Sequence, residues 1–518
     1  MLHAIKRKLK KRERLEQQTL REGVSLERIS SNLSTRDELG VVFDQKIIER
    51  ENRLGRYIMI LGPNEEKETE PALLFVYPSC NFQYSDSSFE RVSQFCYPTG
   101  MEYPSRPDDV IQNQFVFGLN EDGSLVFGAC THFLLEKPCF IGQSHPSKVY
   151  CICTMTPNPQ FSAIFKFHEF LMSIISGTVT CIPANITIPN KPERWNEIST
   201  EDEKFLQFTP KLKKLVDYPL FYSVNATDIN KALIDAIKLH LHISCSAPIE
   251  ITLTPEITVV VNDGLNSSWA IASASFDYLF SYLSAENIVR YMRALMTEQR
   301  IVITGNNISA ISMIAIASLA ILSPMSYKGS LLPIIPNQDE LLDFLDSPVP
   351  FVFGVPYTEK YKSRDMTPDT TIFNINTGSV QYPDSMPHMP HASGLRKHFK
   401  SLLSSKDLRA AHDLKFIEFR NRQGIPTRMK KSFMTKYIMN RREVEMMLQT
   451  FKNYNEKFVS MDKLAGCRVR DTTDPNNPKY GFVKEAYMID VPEEDYDFID
   501  MFVGTQTFQG YCENSFFT

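Results

Sequence analysis

The stretch SAENIVRYMRALMTEQRIVITGNNISAISMIAIASLAILSP, residues 284–324, decides the fold. Its first part, 284–299, sets Ile288, Tyr291, Met292 and Leu295 at i, i+3, i+4 and i+7, the spacing of an amphipathic helix. Ser284 supplies an N-cap and Glu286 a carboxylate in the first turn. RIVIT, 300–304, is a short apolar and β-branched run, which reads as a buried strand. Gly305, Asn306 and Asn307 break the chain, and ISAISMIAIASLAIL, 308–322, follows as a helix that is apolar or small nearly all round. At 15 residues with three serines it falls short of the roughly 20 apolar residues needed to span a bilayer, so it is expected to be a buried helix. Three proline-bounded pieces come next: LSPMSYKGSLLPIIP (322–336), LLDFLDSPVP (341–350) and FVFGV (351–355). Helix alternating with strand predicts a mainly parallel, doubly wound α/β sheet for this part of the chain, about 216–380.

Working outward, hairpins dominate the residues before it. FVFGL and SLVFGAC (115–119 and 124–130) flank the turn residues Asn120, Glu121, Asp122 and Gly123. VYCICTMT (149–156) is another strand, and Phe161, Ile164, Phe165, His168, Leu171 and Ile174 give the helix after it a heavy aromatic face. Hairpins followed by a packed helix predict an α+β fold over 51–185. Residues 186–215 are polar and charged and read as a linker. QYPDSMPHMPHASG, 381–394, is rich in proline and histidine and reads as a mobile linker rather than a metal site built on His388 and His391. The remainder, 391–518, reads as mostly helical.

Composition narrows the class. A chain of 518 residues has room for about three domains, and 43% hydrophobic with 23% charged residues is ordinary for a soluble globular protein. Ten scattered cysteines in apolar contexts read as reduced thiols of a cytoplasmic protein. Cys151 and Cys153 form a CxC with no second pair near them in the sequence, so they read as small core residues on one strand face rather than as metal ligands. No apolar segment follows the basic N-terminus, so no signal peptide is expected. Residues 1–14 carry seven basic residues against Glu13, a net +6, which leaves −11 for the rest of a chain whose total is −5. Such a tail is read as a solvated helix end, a nuclear localisation signal, or a peripheral contact with anionic membrane. The acidic body disfavours nucleic acid.

Catalytic groups are scarce. G-x-S-x-G, GxxxxGK[ST], HExxH and paired CxxC are all missing. Gly305, Asn306 and Asn307 read as a tight turn opening a helix, because a dinucleotide loop needs further glycines. His132 and His168 sit in apolar contexts and read as core-edge histidines rather than general bases. Residues 493–499 read as a solvated, acidic helix start. No cofactor and no metal is expected.

The order of these pieces carries a family resemblance. LMTEQRIVITGNN, LAILSPMSY, LLPIIP and LLDFLDSPVPFVFGV resemble the central segment of a DENN domain, a module known chiefly as an exchange factor for Rab-type small GTPases. Upstream, PALLFVYPS (71–79), FCYPTG (95–100), NQFVFGLNEDGSLVFGACTHF (113–133) and KVYCICTMTPNPQFSAIFKFHEFLMSII (148–175) follow in the family's order. Downstream, Phe502 and GTQTF (504–508) resemble a turn near the end of that module, so the resemblance covers roughly residues 50–515.

The resemblance implies a longin-like first domain, a doubly wound α/β central domain and a helical downstream domain. It implies guanine-nucleotide exchange on a Rab-type small GTPase seized across the first two domains, or GTPase binding without exchange, as a trafficking scaffold or effector. A GTPase-activating branch of the family would need a first-domain arginine, for which Arg91 and Arg106 are the candidates. The GTPase-binding residues expected are Phe95, Tyr97, Gly100, Asn120 and Asp122 in the first domain, and Tyr291, Arg293, Glu298, Arg300, Asp346, Pro348 and Pro350 in the central one. One departure stands out: Asn374 and Asn376 in IFNINTG (372–378) occupy positions where the family carries aspartates.

Overall fold

The computed structural model describes residues 53–64, 67, 70–77, 92–101, 114–121, 124–133, 148–175, 237, 240–241, 243, 245, 249–254, 257–261, 267–383, 385–404, 439–471 and 479–516. The basic tail 1–50, Arg91, Arg106, Asp122, Gly123 and the linker 186–215 lie outside the described residues.

Five antiparallel strands form the first sheet, in the order β2-β1-β5-β4-β3: β1 Tyr57–Pro63, β2 Pro71–Tyr77, β3 Gln114–Glu121, β4 Ser124–Phe133 and β5 Tyr150–Thr156. Every residue of β1 and β5 is buried. Both strands are central and covered on both faces, which is why YIMILGP and YCICTMT show no apolar–polar alternation. One cover is helix α1, Phe161–Ile175, whose Phe161 ring meets Phe127 of β4 edge-on at 5.3 Å. A helical turn at 92–96 brings Phe95 onto Phe117, with ring centroids 5.4 Å apart.

The hairpin β6 Ile249–Thr254 and β7 Ile257–Val261 is antiparallel and packs on α1. Ile243 O accepts from Leu54 N at 2.9 Å, and His240 reaches Thr154 of β5 at 3.0 Å. The sequence reading placed 216–380 in the parallel sheet, whereas these residues near its start lean on the first sheet.

Helices α2 Ser267–Tyr282 and α3 Ala285–Met296 lead into β8, Arg300–Gly305. As the spacing predicts, Ser284 caps α3, its side chain accepting from Asn287 N. Asn307 likewise caps α4, Ile308–Ile321, through Ala310 N at 2.9 Å. The second sheet has the order β12-β11-β8-β10-β9, with β9 Ser330–Leu332, β10 Phe351–Pro356, β11 Thr370–Asn374 and β12 Ser379–Gln381. β9, β10, β8 and β11 run parallel and β12 closes the edge antiparallel. Ile301, Ile303 and Val352 belong to the main core with α4, whereas Val302, Phe351 and Phe353 pack on the opposite side against Leu342 of the short helix α5 (Asp339–Leu342), Leu345, and Tyr361 of the short helix α6 (Glu359–Lys362). The sheet thus has apolar cover on both faces, and the protein is a mixed α/β structure. Gly354 of the FVFGV strand is required by close approach: a Cβ there would lie 2.0 Å from Pro333 O.

After β12, Tyr382 and residues 385–394, read from the sequence as part of a linker, make specific contacts. Arg293 stacks on the Tyr382 ring at 4.7 Å and donates to Pro387 O at 3.4 Å, Met389 is buried, and Tyr454 OH donates to Pro390 O. His388 and His391 are exposed. Helices α7 Ala392–Ser404 and α8 Arg441–Val459 follow, joined to α2 through the rings of Phe276, Phe280, Phe399 and Phe451. A hairpin, Arg468–Asp471 with Lys479–Phe482, interrupts the helices expected here. Two last helices, Tyr496–Val503 and α9, Gln506–Phe516, end the described residues.

All of these elements fall in one compact unit, Arg53–Thr518, and α4 is its hub. Ser312 of α4 accepts from Val116 N and donates to Val116 O, both at 2.7 Å, and so pairs the open edge of β3. At the end of α4, the buried Asn455 of α8 donates to Ile321 O and Ser323 O, both at 2.8 Å. Ser312→Ala leaves a buried N–H and a buried C=O unpaired, at about 1–3 kcal/mol for each group. Its urea midpoint is expected to fall clearly. Ser318→Ala, which removes a bond to Ala315 O within the helix, is expected to lower stability less, by about 1 kcal/mol.

Candidate functional site

The parallel strands of the second sheet give it two chemically different ends. At the C-terminal ends of β8 and β10, the loop after the 92–96 turn abuts the sheet, and Asn337 N donates to Pro98 O at 2.9 Å. Thr358, just beyond β10, donates through Oγ1 to Asn337 Oδ1 at 2.7 Å and caps the short helix Glu359–Lys362. Thr99, Gly100 and Tyr357 are exposed here. Gly100 adopts φ +94 with nothing near a would-be Cβ, so glycine is required by conformation and not by space. Openings beyond the C-terminal ends of parallel strands are where open α/β sheets commonly take ligands.

At the N-terminal ends of the same strands lies a charged cluster. Arg300 pairs with Asp369 and donates to Ser347 O at 3.3 Å. Arg364 pairs with Asp343 at 3.1 Å and with Asp346. Asp346, Pro348 and Val349 are exposed and Pro350 is half-buried.

The expected binding residues therefore divide. Phe95, Tyr97 and Tyr291 are buried, and Tyr291 OH donates to Ile314 O at 3.0 Å. In this structure all three are core residues rather than surface ones. Arg293 is committed to Tyr382 and Pro387, as described. Glu298, at φ +47, accepts from Gln506 N at 3.0 Å and from Thr507 N and Oγ1 at 2.8 and 2.6 Å. It caps α9, where a carboxylate meets both unpaired N–H groups and the positive end of the helix dipole. Arg300, Asp346, Pro348 and Pro350 come together at the N-terminal end, whereas Gly100 lies at the other end of the sheet. Asn120 sits at the β3–β4 turn, and Asp122 is outside the described residues.

Asn374 and Asn376 also prove to be positioned by backbone. Asn374 Oδ1 accepts from Asn376 N at 3.0 Å, and Asn376 Oδ1 accepts from Asn306 N at 2.9 Å. A carboxylate oxygen would serve the same acceptor role, so the amides keep the turn while removing its charge. Asn337, Tyr357, Thr358, Arg364 and Asp369 were not picked out from the sequence. Only Thr358 carried a signal, as a capping residue before an acidic helix start.

Among the described residues, the buried histidines are taken up by hydrogen bonds within the core. His168 bonds Thr131 Oγ1 through Nδ1 and Thr154 Oγ1 through Nε2, both at 2.8 Å, and Thr154 Oγ1 continues to His240. His132 Nε2 meets Cys96 O at 2.7 Å. Burial lowers all three, His132 to about 4 and His240 to about 3, with His168 well below its ordinary value.

Residues 244–378 match the family model described as the DENN (AEX-3) domain. The chain is 22% identical over 352 residues to DENN domain-containing protein 1A of Xenopus laevis, covering 67% of this chain and 28% of that protein. It is 21% identical over 344 residues to DENN domain-containing protein 1B of Mus musculus, covering 66% and 36% respectively. With the MAP kinase-activating death domain protein of Caenorhabditis elegans it shares 29% identity over 132 residues, 24% of this chain and 9% of the relative. The alignments thus take in well under two thirds of these relatives' own lengths. The segment 244–378 is thus similar to a DENN domain, in agreement with the resemblance read from the sequence.

Two outcomes follow from this geometry. Glu298→Ala is expected to loosen α9, seen as faster amide exchange across 506–516, with a loss of about 1–2 kcal/mol typical of a removed cap. Because the three histidines are held neutral when folded and take protons near pH 6.5 when unfolded, their contribution to stability is present above about pH 6.5 and is lost as pH falls. Urea midpoints at pH 7.5, 6 and 5 are expected to drop steadily, and His240→Gln is expected to flatten that slope.

Proposed function

We propose that this protein is a guanine-nucleotide exchange factor for a Rab-type small GTPase, acting from the cytoplasm. The GTPase lies over the seam between the first sheet's 97–101 loop and the C-terminal ends of the second sheet. The observation that carries this reading is the bond from Asn337 N to Pro98 O. It joins a loop from the first sheet's side to a loop at the C-terminal ends of the second sheet, beside the exposed Thr99, Gly100 and Tyr357.

Exchange needs no nucleophile or metal in the exchange factor. A GTPase that holds nucleotide with roughly picomolar affinity, about −16 kcal/mol, releases it when a competitor binds the nucleotide-free form better. Accelerating release ten-thousandfold takes about 5.5 kcal/mol of such differential binding. A few buried anchors in an interface of about 1,600 Å² suffice. The switch loops that order around phosphate and magnesium are the natural target. The basic tail would add peripheral contact with anionic membrane at about 1 kcal/mol per basic residue near the surface.

Release of fluorescent GDP from a panel of Rab-type GTPases, with excess GTP, tests the reading. Acceleration of one or a few members is expected, and Thr99→Arg with Tyr357→Ala is expected to cut it at least about tenfold, or 1.4 kcal/mol. Arg300→Ala with Asp346→Ala is expected to leave it largely intact; the reverse pattern moves the interface to the N-terminal ends of the strands. If GTPases bind in pull-downs without any acceleration, the protein is a GTPase-binding scaffold instead.

A further inference from the structure

Sulfur from three separate parts of the chain meets at one point under the first sheet. Cys130 of β4 and Cys153 of β5 are direct cross-strand partners, and Cys96 from the end of the 92–96 turn is laid over them. The three Sγ atoms all lie within 4.8 Å of one another, and those of Cys96 and Cys130 are 3.8 Å apart. Two thiolates on a tetrahedral zinc, each about 2.3 Å from the metal, stand about 3.8 Å apart. Cys151 lies two residues before Cys153 and so points to the same face. Met155 brings a fifth sulfur, with Sδ 3.9 Å from Cys153 Sγ.

We propose that Cys96, Cys130 and Cys153 bind a structural zinc ion, with Cys151 placed to supply the fourth sulfur. A cysteine is often only a small core residue, and that was the reading of the CxC from sequence. Convergence of three from three separate segments distinguishes this group. So does its donor chemistry, which is all soft sulfur and suits a closed structural site. Ligation replaces each S–H bond by an S–Zn bond and releases one proton per cysteine. Without metal, burial pushes the Cys96 thiol up to about 11 and Cys153 well above its ordinary value. The cysteines are fully buried, so the metal would be taken up as the chain folds and would tie the 92–96 turn to the sheet. That turn leads directly into the Pro98 loop of the seam.

The test is metal analysis of the full chain, expressed with zinc in the medium and purified without chelator. About one zinc per chain is expected, falling below about 0.2 in Cys130→Ala and in Cys153→Ala. Alanine fills nearly the same space, so both variants are expected to fold, and circular dichroism checks that they do. A strong chelator is expected to lower the melting temperature of the wild type and not of these variants. Cobalt-substituted protein is expected to show thiolate-to-cobalt charge-transfer absorption. Zinc below about 0.1 per chain, with all four cysteines free once the protein is unfolded, overturns the proposal and leaves a packed core of thiols. A Cys96–Cys130 disulfide overturns it as well, and copper in place of zinc overturns the choice of metal.

Discussion

Helix α4 has no face to give to water. Thirteen of its fourteen residues are buried, and the few polar groups it carries are hydroxyls that bond inward. A helix apolar all round is stable only if neighbours surround it. Here the second sheet, the edge of the first sheet, α2 and α8 divide that work. The rest of the architecture follows from meeting this one demand. Ser312 settles the open edge of β3, and Asn455 settles the carbonyls that the helix leaves unpaired at its C-terminus.

That constraint was legible in the sequence because it is local. The run 308–322 announces its own burial, and the flanking helix and strand were read to within a few residues for the same reason. Strand β5 was also plain, although its apolar continuity marks a central strand without saying what covers it. What escaped were features made by distant residues. The packing of 381–394 depends on Arg293 and Tyr454, which lie far off in the chain, so its prolines and histidines suggested only a mobile linker. The strand pair Arg468–Asp471 and Lys479–Phe482 is short, and it hid among helical patterns.

The candidate site was less legible than the fold, for a physical reason. Aromatic and arginine residues beside loops are used both for packing and for binding, and sequence does not distinguish the two. Phe95, Tyr97 and Tyr291 turned out to be buried, packed against Phe117, His132 and Phe373 respectively. Glu298 looked like a free charge at a helix end, yet its carboxylate is aimed at the start of a helix more than two hundred residues later. Asn337 carried no signal, because it acts through a backbone bond to the distant 97–101 loop and through a side-chain bond from Thr358.

The shared burial of α4 also bears on how such a protein can change over generations. The family match runs over 244–378, a unit in the statistics of sequence. In the structure those residues contain a helix whose walls are partly supplied from 114–121 and from 441–459. Recombination at the edges of the match would expose that helix and strip β3 of its edge partner. The three segments are therefore inherited together, and variation is cheapest in the long connections between them. Sequence can drift there without disturbing the helix that all three segments share.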